Sequence, residues 1–517
     1  MPISNSEQLF RLVKSLNKSE KRSFKLYAQR SHNQATSKSI QLFDILDSMD
    51  SYDETTIIQK SSHIKKSQLS NLKRHLYTQI MKALRNIHID KELDIQIREQ
   101  LDFARILYGK GLYMQSLKIL DRVKNIARDA HQNILYFEIL EFEKRIEEKH
   151  ITRSRSIAGK MEDLIATSDE VNRMINLESA LTNLKLKIHG LYIKGGHAKN
   201  EKEAREVLEY FEDNKPDVNY DQLDFFEKIY LHQSYVWLYY IQMDFEQCLH
   251  HARKWSDFFY HDPVMASINP DLYMRGMHYV MTVCFHLNHE EEYWEYIQRL
   301  DRFYELENEN FNQTSEIIYF LYSNFAKLDF ANVNGRYDKN VALIPRIEKK
   351  LTRYESHLDN HRVMQFYYKF AWSYFARGEY GKSIQYLNKI LNLDVKHLRE
   401  DIQCYSWLLF ILAHFEEKNY ALLTHLVKSA TKFFEKMKEK NKIQQILIQF
   451  VRTRLRSNQT LSKETYRALI DELNQYSKDS YQGKALLYLD AKIWAESKLR
   501  SKTIEALKLE KLKTIAK

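Results

Sequence analysis

Residues 366–391 read FYYKFAWSYFARGEYGKSIQYLNKIL. Large apolar side chains fall at Tyr367, Phe370 and Tyr374, then again at Leu387 and Ile390 beyond Gly378-Glu379-Tyr380. Steps of three and four residues put each set on one face of a helix. Small Ala371 and Ser383 stand where two such helices must approach closely. The stretch therefore predicts two helices folded back on each other around a turn at Gly378-Glu379-Tyr380.

The same outline recurs along the chain. Trp407, Phe410 and Ile411 lead to a turn at Lys418-Asn419-Tyr420, followed by Val427 and Ala430. Phe103, Ala104 and Leu107 precede Gly111-Leu112-Tyr113, then Ser116, Leu120 and Val123. Tyr235, Val236 and Tyr239 precede Met243-Asp244-Phe245, then Cys248, Ala252 and Trp255. An aromatic residue closes all four turns. In three of them a small residue follows three positions later, whereas the Tyr420 copy has Leu423 there.

This pattern resembles the tetratricopeptide repeat (TPR), with spacing nearer 40 residues than the family's ~34. The segment Leu12–Tyr27, LVKSLNKSEKRSFKLY, is also similar to the opening of a group of bacterial TPR-type proteins of uncharacterised function. The resemblance implies an all-α, TPR-like α-solenoid of stacked antiparallel helix hairpins, since one hairpin cannot bury its apolar face alone. It further implies a groove lined by the first helix of each hairpin, with Tyr368, Trp372 and Phe375 as lining residues at one hairpin.

Composition agrees. Only 11 Gly and 5 Pro occur in 517 residues, and 44% of the chain is hydrophobic. Few turn-formers argue against a β-rich or doubly wound fold, and the apolar content excludes a disordered chain. Helix starts are expected at Ser4-x-x-Glu7, Ser51-x-x-Glu54 and Thr167-x-x-Glu170, and at Asp262-Pro263 and Asn269-Pro270. Breaks are expected at Gly195-Gly196-His197, Asn214-Lys215-Pro216 and Asn332-Val333-Asn334-Gly335. The resulting division is 1–90, 91–213, 214–335, 336–493 and 494–517.

Charge is concentrated at the two ends. Residues 1–90 carry a net +7 and residues 494–517 a net +4, out of +10 for the whole chain. No acid occurs between Thr55 and Ile89. A helix spanning about 67–87 places Leu69, Leu72, Leu76, Ile80, Leu84 and Ile87 on one face, with Arg74, Thr78, Lys82 and Arg85 opposite. With the short segment Glu54–Lys60 before it, the outline is that of a helix-turn-helix. Asn71, Arg74 and Thr78 would then face base edges, with Lys65, Lys66 and Lys82 beside phosphates and Arg85 as a further contact on the same face. The plainer reading of the same charges is a solvated helix face.

Catalytic and cofactor signatures are missing. There is no HExxH, GxSxG or Gly-rich dinucleotide loop. Ala376-x-x-x-x-Gly381-Lys382-Ser383 matches a relaxed P-loop but lies inside a helix hairpin, where no strand delivers the loop. Cys284-x-His286-x-x-His289-Glu290 splits its first two ligands to opposite sides of a helix, and adjacent His250 and His251 also diverge. No metal or cofactor is expected. Cys248, Cys284 and Cys404 read as reduced core thiols, and Trp237, Trp255, Trp294, Trp372, Trp407 and Trp494 as packing residues. No secretory leader or membrane-length apolar run is present, which predicts a cytoplasmic protein with no membrane partner. The sequons Asn312-Gln313-Thr314 and Asn458-Gln459-Thr460 then have no use. The expected function is a non-enzymatic scaffold or regulatory adaptor binding a peptide or partner helix. A nucleic-acid-binding or ribosome-associated regulator acting through residues 1–90 is the alternative.

Overall fold

A computed structural model describes residues 5–515 apart from 31–33, 62, 90, 150–158, 394–398, 438–440, 458–461, 478, 480 and 484. Among the described residues the chain is all-α, with no strand. It divides into two compact units, 1–172 and 173–517. The division falls inside the 36-residue helix Lys160–Gly195 and coincides with none of the three expected breaks.

In the first unit, α1 (Asn5–Ser15), α2 (Lys18–Gln29), α3 (Gln34–Ser48), α4 (Glu54–Lys60) and α5 (Lys66–His88) surround their own core. Phe24 and Phe43 meet at its centre, tilted with centroids 4.7 Å apart, in one core with Leu69, Leu72, Leu76 and Ile80 from the apolar stripe of α5. Lys73, also on α5, ties Glu54 at 2.5 Å and so fixes the start of α4. The cap of α4 is Asp53, which accepts from the amides of Thr55 and Thr56, in place of the expected Ser51. Then α6 (Leu93–Gly109), α7 (Tyr113–Asp129) and α8 (Asn133–Lys149) pack each on the next.

The second unit starts within α9 (Lys160–Gly195), so Thr167-x-x-Glu170 is mid-helix and begins nothing. There follow α10 (Glu201–Asn214), α11 (Phe225–Gln242), α12 (Phe245–His261), α13 (Pro263–Ile268), α14 (Pro270–Leu287) and α15 (Glu290–Glu307). Next come α16 (Gln313–Val333), α17 (Tyr337–Arg353), α18 (Asn360–Ala376), α19 (Tyr380–Leu391), α20 (Glu400–Glu416) and α21 (Tyr420–Lys436). The chain ends in α22 (Lys442–Ser457), α23 (Lys463–Ser477), α24 (Ala485–Tyr488), α25 (Ala491–Leu499) and α26 (Ile504–Ile515). From α10 to α23 successive helices pack together, and α14, α16, α18, α20 and α22 also touch each the next in that series. Prolines 263 and 270 open α13 and α14 as expected; Asn458–Thr460 and Ser4 lie outside the described residues.

The turns share one backbone solution. Gly111, Met243, Asn288, Gly335, Gly378 and Lys418 all have φ between 58° and 83°, the left-handed region. In each turn the following amide reaches back five residues, as Asp244 to Tyr239 O, Glu379 to Tyr374 O and Asn419 to His414 O. This is a helix C-cap in which a left-handed residue lets orphan carbonyls be satisfied. An aromatic residue stands two positions after the left-handed one at Tyr113, Phe245, Tyr337, Tyr380 and Tyr420. Three residues further, Ser116, Cys248 and Asn340 donate to the carbonyls of Ala104, Val236 and Leu328, each twelve residues upstream. The side chain there sews the second helix of the pair to the first. The copy at Tyr337 and Asn340 has no counterpart in the sequence reading, because asparagine is not a small residue.

Left-handed backbone disfavours a side chain by about 1 kcal/mol. Exposed Lys418 sits at φ 59° and Gly378 at φ 83°. Lys418→Gly is therefore expected to raise stability by about 0.5–1 kcal/mol, and Gly378→Ala to lower it by about 1 kcal/mol. Denaturant titration of the two variants, shifting in opposite directions, is the check.

Candidate functional site

An aromatic and cationic seam crosses the second unit from helix to helix. Its residues recur at helical spacing: Lys185, His189 and Tyr192 on α9, Tyr230, Gln233 and Trp237 on α11, Arg275 and His278 on α14. His189 stacks on Trp237 with centroids 4.2 Å apart, and Trp237 meets Tyr279 edge-on at 4.9 Å. His278 stacks on Tyr322 of α16 at 4.1 Å, nearly parallel. The Arg362 guanidinium of α18 lies 5.9 Å above the same Tyr322 ring. Lys185 lies 4.7 Å over Tyr230. Quadrupole faces stacked on cations and imidazoles in this way hold the polar groups in fixed positions.

Electrostatics confirm that these groups converge. Burial, then Arg275, Arg362 and Lys185, pushes His189 down to about 4. Burial, then Arg362, Lys369 and Arg275, holds His278 well below the ordinary imidazole range. Both rings are therefore neutral at pH 7. Lys369 is matched by Asp329 at 2.5 Å. Gln365, one turn on from Arg362, meets His361 at 3.1 Å.

The seam is closed at its edge by a clasp. Arg399, itself left-handed at φ 49°, holds Asp401 through Nε and Nη2 at 2.9 and 2.8 Å. Both residues are buried. The Arg399 amide donates to Ile193 O at 3.2 Å, and its guanidinium covers Tyr192 at 4.9 Å. Gly196 packs under Asp401 so closely that a Cβ there would stand 2.7 Å from Oδ2. His197 is buried and bonds Tyr240 O at 2.6 Å. The expected break at Gly195-Gly196-His197 is thus a locked corner, fixed from 200 residues away in sequence.

The expected groove residues lie further along α18, against the chain's own C-terminal segment. Tyr368 donates to Tyr488 O at 2.9 Å, and Trp372 stacks on Phe375. Phe375 is 1% exposed, so it serves the core, and a ligand reaching Tyr368 would have to lift Tyr488 away. Four lysines of the basic C-terminal end, among the described residues, are engaged in internal bonds. Trp494 is fully buried and donates to Glu416 at 2.7 Å; Lys498 pairs with Glu416, Lys502 with Glu510 and Lys511 with Glu496. Lys508 reaches Asn332 O.

In the first unit, Lys65, Lys66, Asn71, Arg74, Thr78, Lys82 and Arg85 are all exposed on or beside α5. Arg85 pairs with Asp102 at 3.1 Å, and Thr78 bonds the Arg74 carbonyl. Lys18, Lys21, Arg22 and Lys25 line a further concavity on α2. In the second unit Cys284, His289 and Glu292 do come within 4.8 Å, while His286 turns away to Tyr240. Arg253 already takes both Glu292 oxygens, at 2.6 and 2.5 Å, so the trio holds an ion pair in place of an open ligand set. Gly381-Lys382 lies in the first turn of α19, with Lys382 paired to Glu379. His251 faces His232 at 2.8 Å, and burial holds both rings low, at about 4 and about 3. Among the described residues no helix is long and apolar enough to cross a membrane. Comparison with family models, curated proteins and solved structures finds no match.

Proposed function

We propose that the chain is a non-enzymatic, TPR-like helical-repeat scaffold that holds a peptide or partner helix against the seam of α9, α11, α14, α16 and α18. The repeated left-handed turns and the contacts between alternate helices support stacked hairpins, whose first helices share one face. The observation that carries the reading is the seam itself. It joins partly exposed polar groups from α9, α14 and α18 with stacked aromatics. A photo-crosslinking residue at Gln365, partly exposed on the seam, should trap a stoichiometric partner in the native host. The same residue at Val264, 66% exposed on α13, should not. Equal trapping at both sites would remove the proposal.

A second reading rests on the exposed α5 face, where Lys65, Lys66, Arg74 and Lys82 have no carboxylate within 4 Å among the described residues. It is a nucleic-acid-binding regulator. Duplex DNA should then shift in a gel at ~50 mM salt, and Arg74→Glu with Lys82→Glu should abolish the shift. No shift at that salt excludes it.

A further inference from the structure

The Lys185 ammonium and the Arg275 and Arg362 guanidiniums reach the seam from α9, α14 and α18, and none of these charged groups forms an ion pair within 4 Å among the described residues. Their neighbours differ: Lys369 is matched by Asp329 and Arg399 by Asp401. Arg275 keeps a hydrogen bond to Tyr322, and Tyr322 and then Asp271, one turn before it, favour its charge; Asp271 also accepts the Ser315 hydroxyl at 2.6 Å. Arg275 and Arg362 both bear on His189 and His278, and Arg275 depresses Lys185, so the cations share one region. Two donors there are buried without partners: Arg275 Nε, and Nε2 of Gln233, which is 3% exposed one turn before Trp237.

Like charges gathered in a half-buried region destabilise each other until a counter-charge arrives. An unmatched buried donor adds a desolvation cost that an acceptor would remove. A guanidinium presents a planar fork that fits a carboxylate through two bonds. Orphan donors and surplus positive charge at one place are what a site for a negatively charged ligand looks like before the ligand binds.

We propose that the ligand of this face is an acidic peptide whose carboxylates are taken by Lys185, Arg275 and Arg362. The inference rests on the scaffold reading for the peptide and on the unmatched cations for its charge. The probe is fluorescein-labelled octaglutamate, followed by anisotropy on the full chain at ~50 mM salt. Binding is expected to weaken at least roughly tenfold at ~0.5 M salt, where the Debye length shrinks. Arg362→Gln and Lys185→Gln, both partly exposed, should each weaken it by about tenfold with an unchanged melting temperature. Arg74→Glu/Lys82→Glu on α5 should leave it unchanged, which excludes capture by the basic first unit. Octaglutamate binding that ignores the Arg362 and Lys185 changes overturns the proposal. So does octaglutamine binding as tightly, although the scaffold reading then survives. A melting temperature raised by inorganic phosphate in the parent but not in Arg362→Gln, with no octaglutamate binding, overturns the peptide assignment in favour of a small phosphate ligand.

Discussion

Asp401→Ala is expected to destabilise the second unit by about 3–5 kcal/mol, the usual loss when a buried ion pair keeps only one partner. Arg399 is 4% exposed and its partner 8%, so the guanidinium has no water to turn to. Burial alone would push the Asp401 carboxyl up, but the Arg399 guanidinium outweighs it and holds the group at about 2. The charge is therefore present at any working pH. Replacing both residues, Arg399→Met with Asp401→Leu, should recover most of the loss, because the pair's net contribution is small once desolvation is counted. Chemical denaturation of the single and double variants decides the matter. A single variant within about 1 kcal/mol of the parent would show the clasp to be solvated.

Acid is the second large effect. Burial comes first among the causes that hold His189, His251 and His361 at about 4 and His232 and His286 at about 3, with neighbouring cations or imidazoles adding to it; His278 lies well below the ordinary range. These folded values are depressed below the unfolded value of about 6.5. As the pH falls below that value the unfolded chain binds protons and the native one does not, so stability is lost from about pH 6.5 toward 4. At pH 5 the loss is at most about 2 kcal/mol per histidine. Glu227 opposes this, since burial raises it to about 7 and its proton favours the native state in the same window. Burial raises the carboxyls of Asp329 and Asp490 as well, and lowers the His414 imidazole. Three carboxyls against seven imidazoles leave the sign clear. The melting temperature should fall steeply between pH 7 and pH 5; a flat profile would mean that these rings are hydrated.

Much of the local architecture was legible in the sequence. The turns at Gly111, Met243, Gly378 and Lys418 were placed by the aromatic that closes each one, even where a methionine or lysine adopts the left-handed angle. The stripe Leu69-Leu72-Leu76-Ile80 named the buried face of α5 because spacing alone fixes a helix face. Thr167 misled because a capping box is a local signal, and α9 runs straight through it. The seam was hidden for a different reason. Lys185, Arg275 and Arg362 are each about 90 residues from the next, and periodicity carries no information about which helices become neighbours. Arg399 and Asp401 carry no signal in the sequence that sets them apart from other charged residues; only the left-handed backbone at Arg399 and the bare Cα of Gly196 turn them inward together.

That fastening alters how the second unit would come apart. A linear stack of hairpins peels from a loose end, layer by layer, since each layer leans only on its neighbours. Here residues near the beginning are tied to Arg399 and to Met437 O through Lys199, and the final helices double back as far as Asn332. Pulled by its two ends, the unit offers no free edge at which to start unzipping. It should resist and then yield in one rip, and re-forming the tie across some 200 residues should make refolding slow.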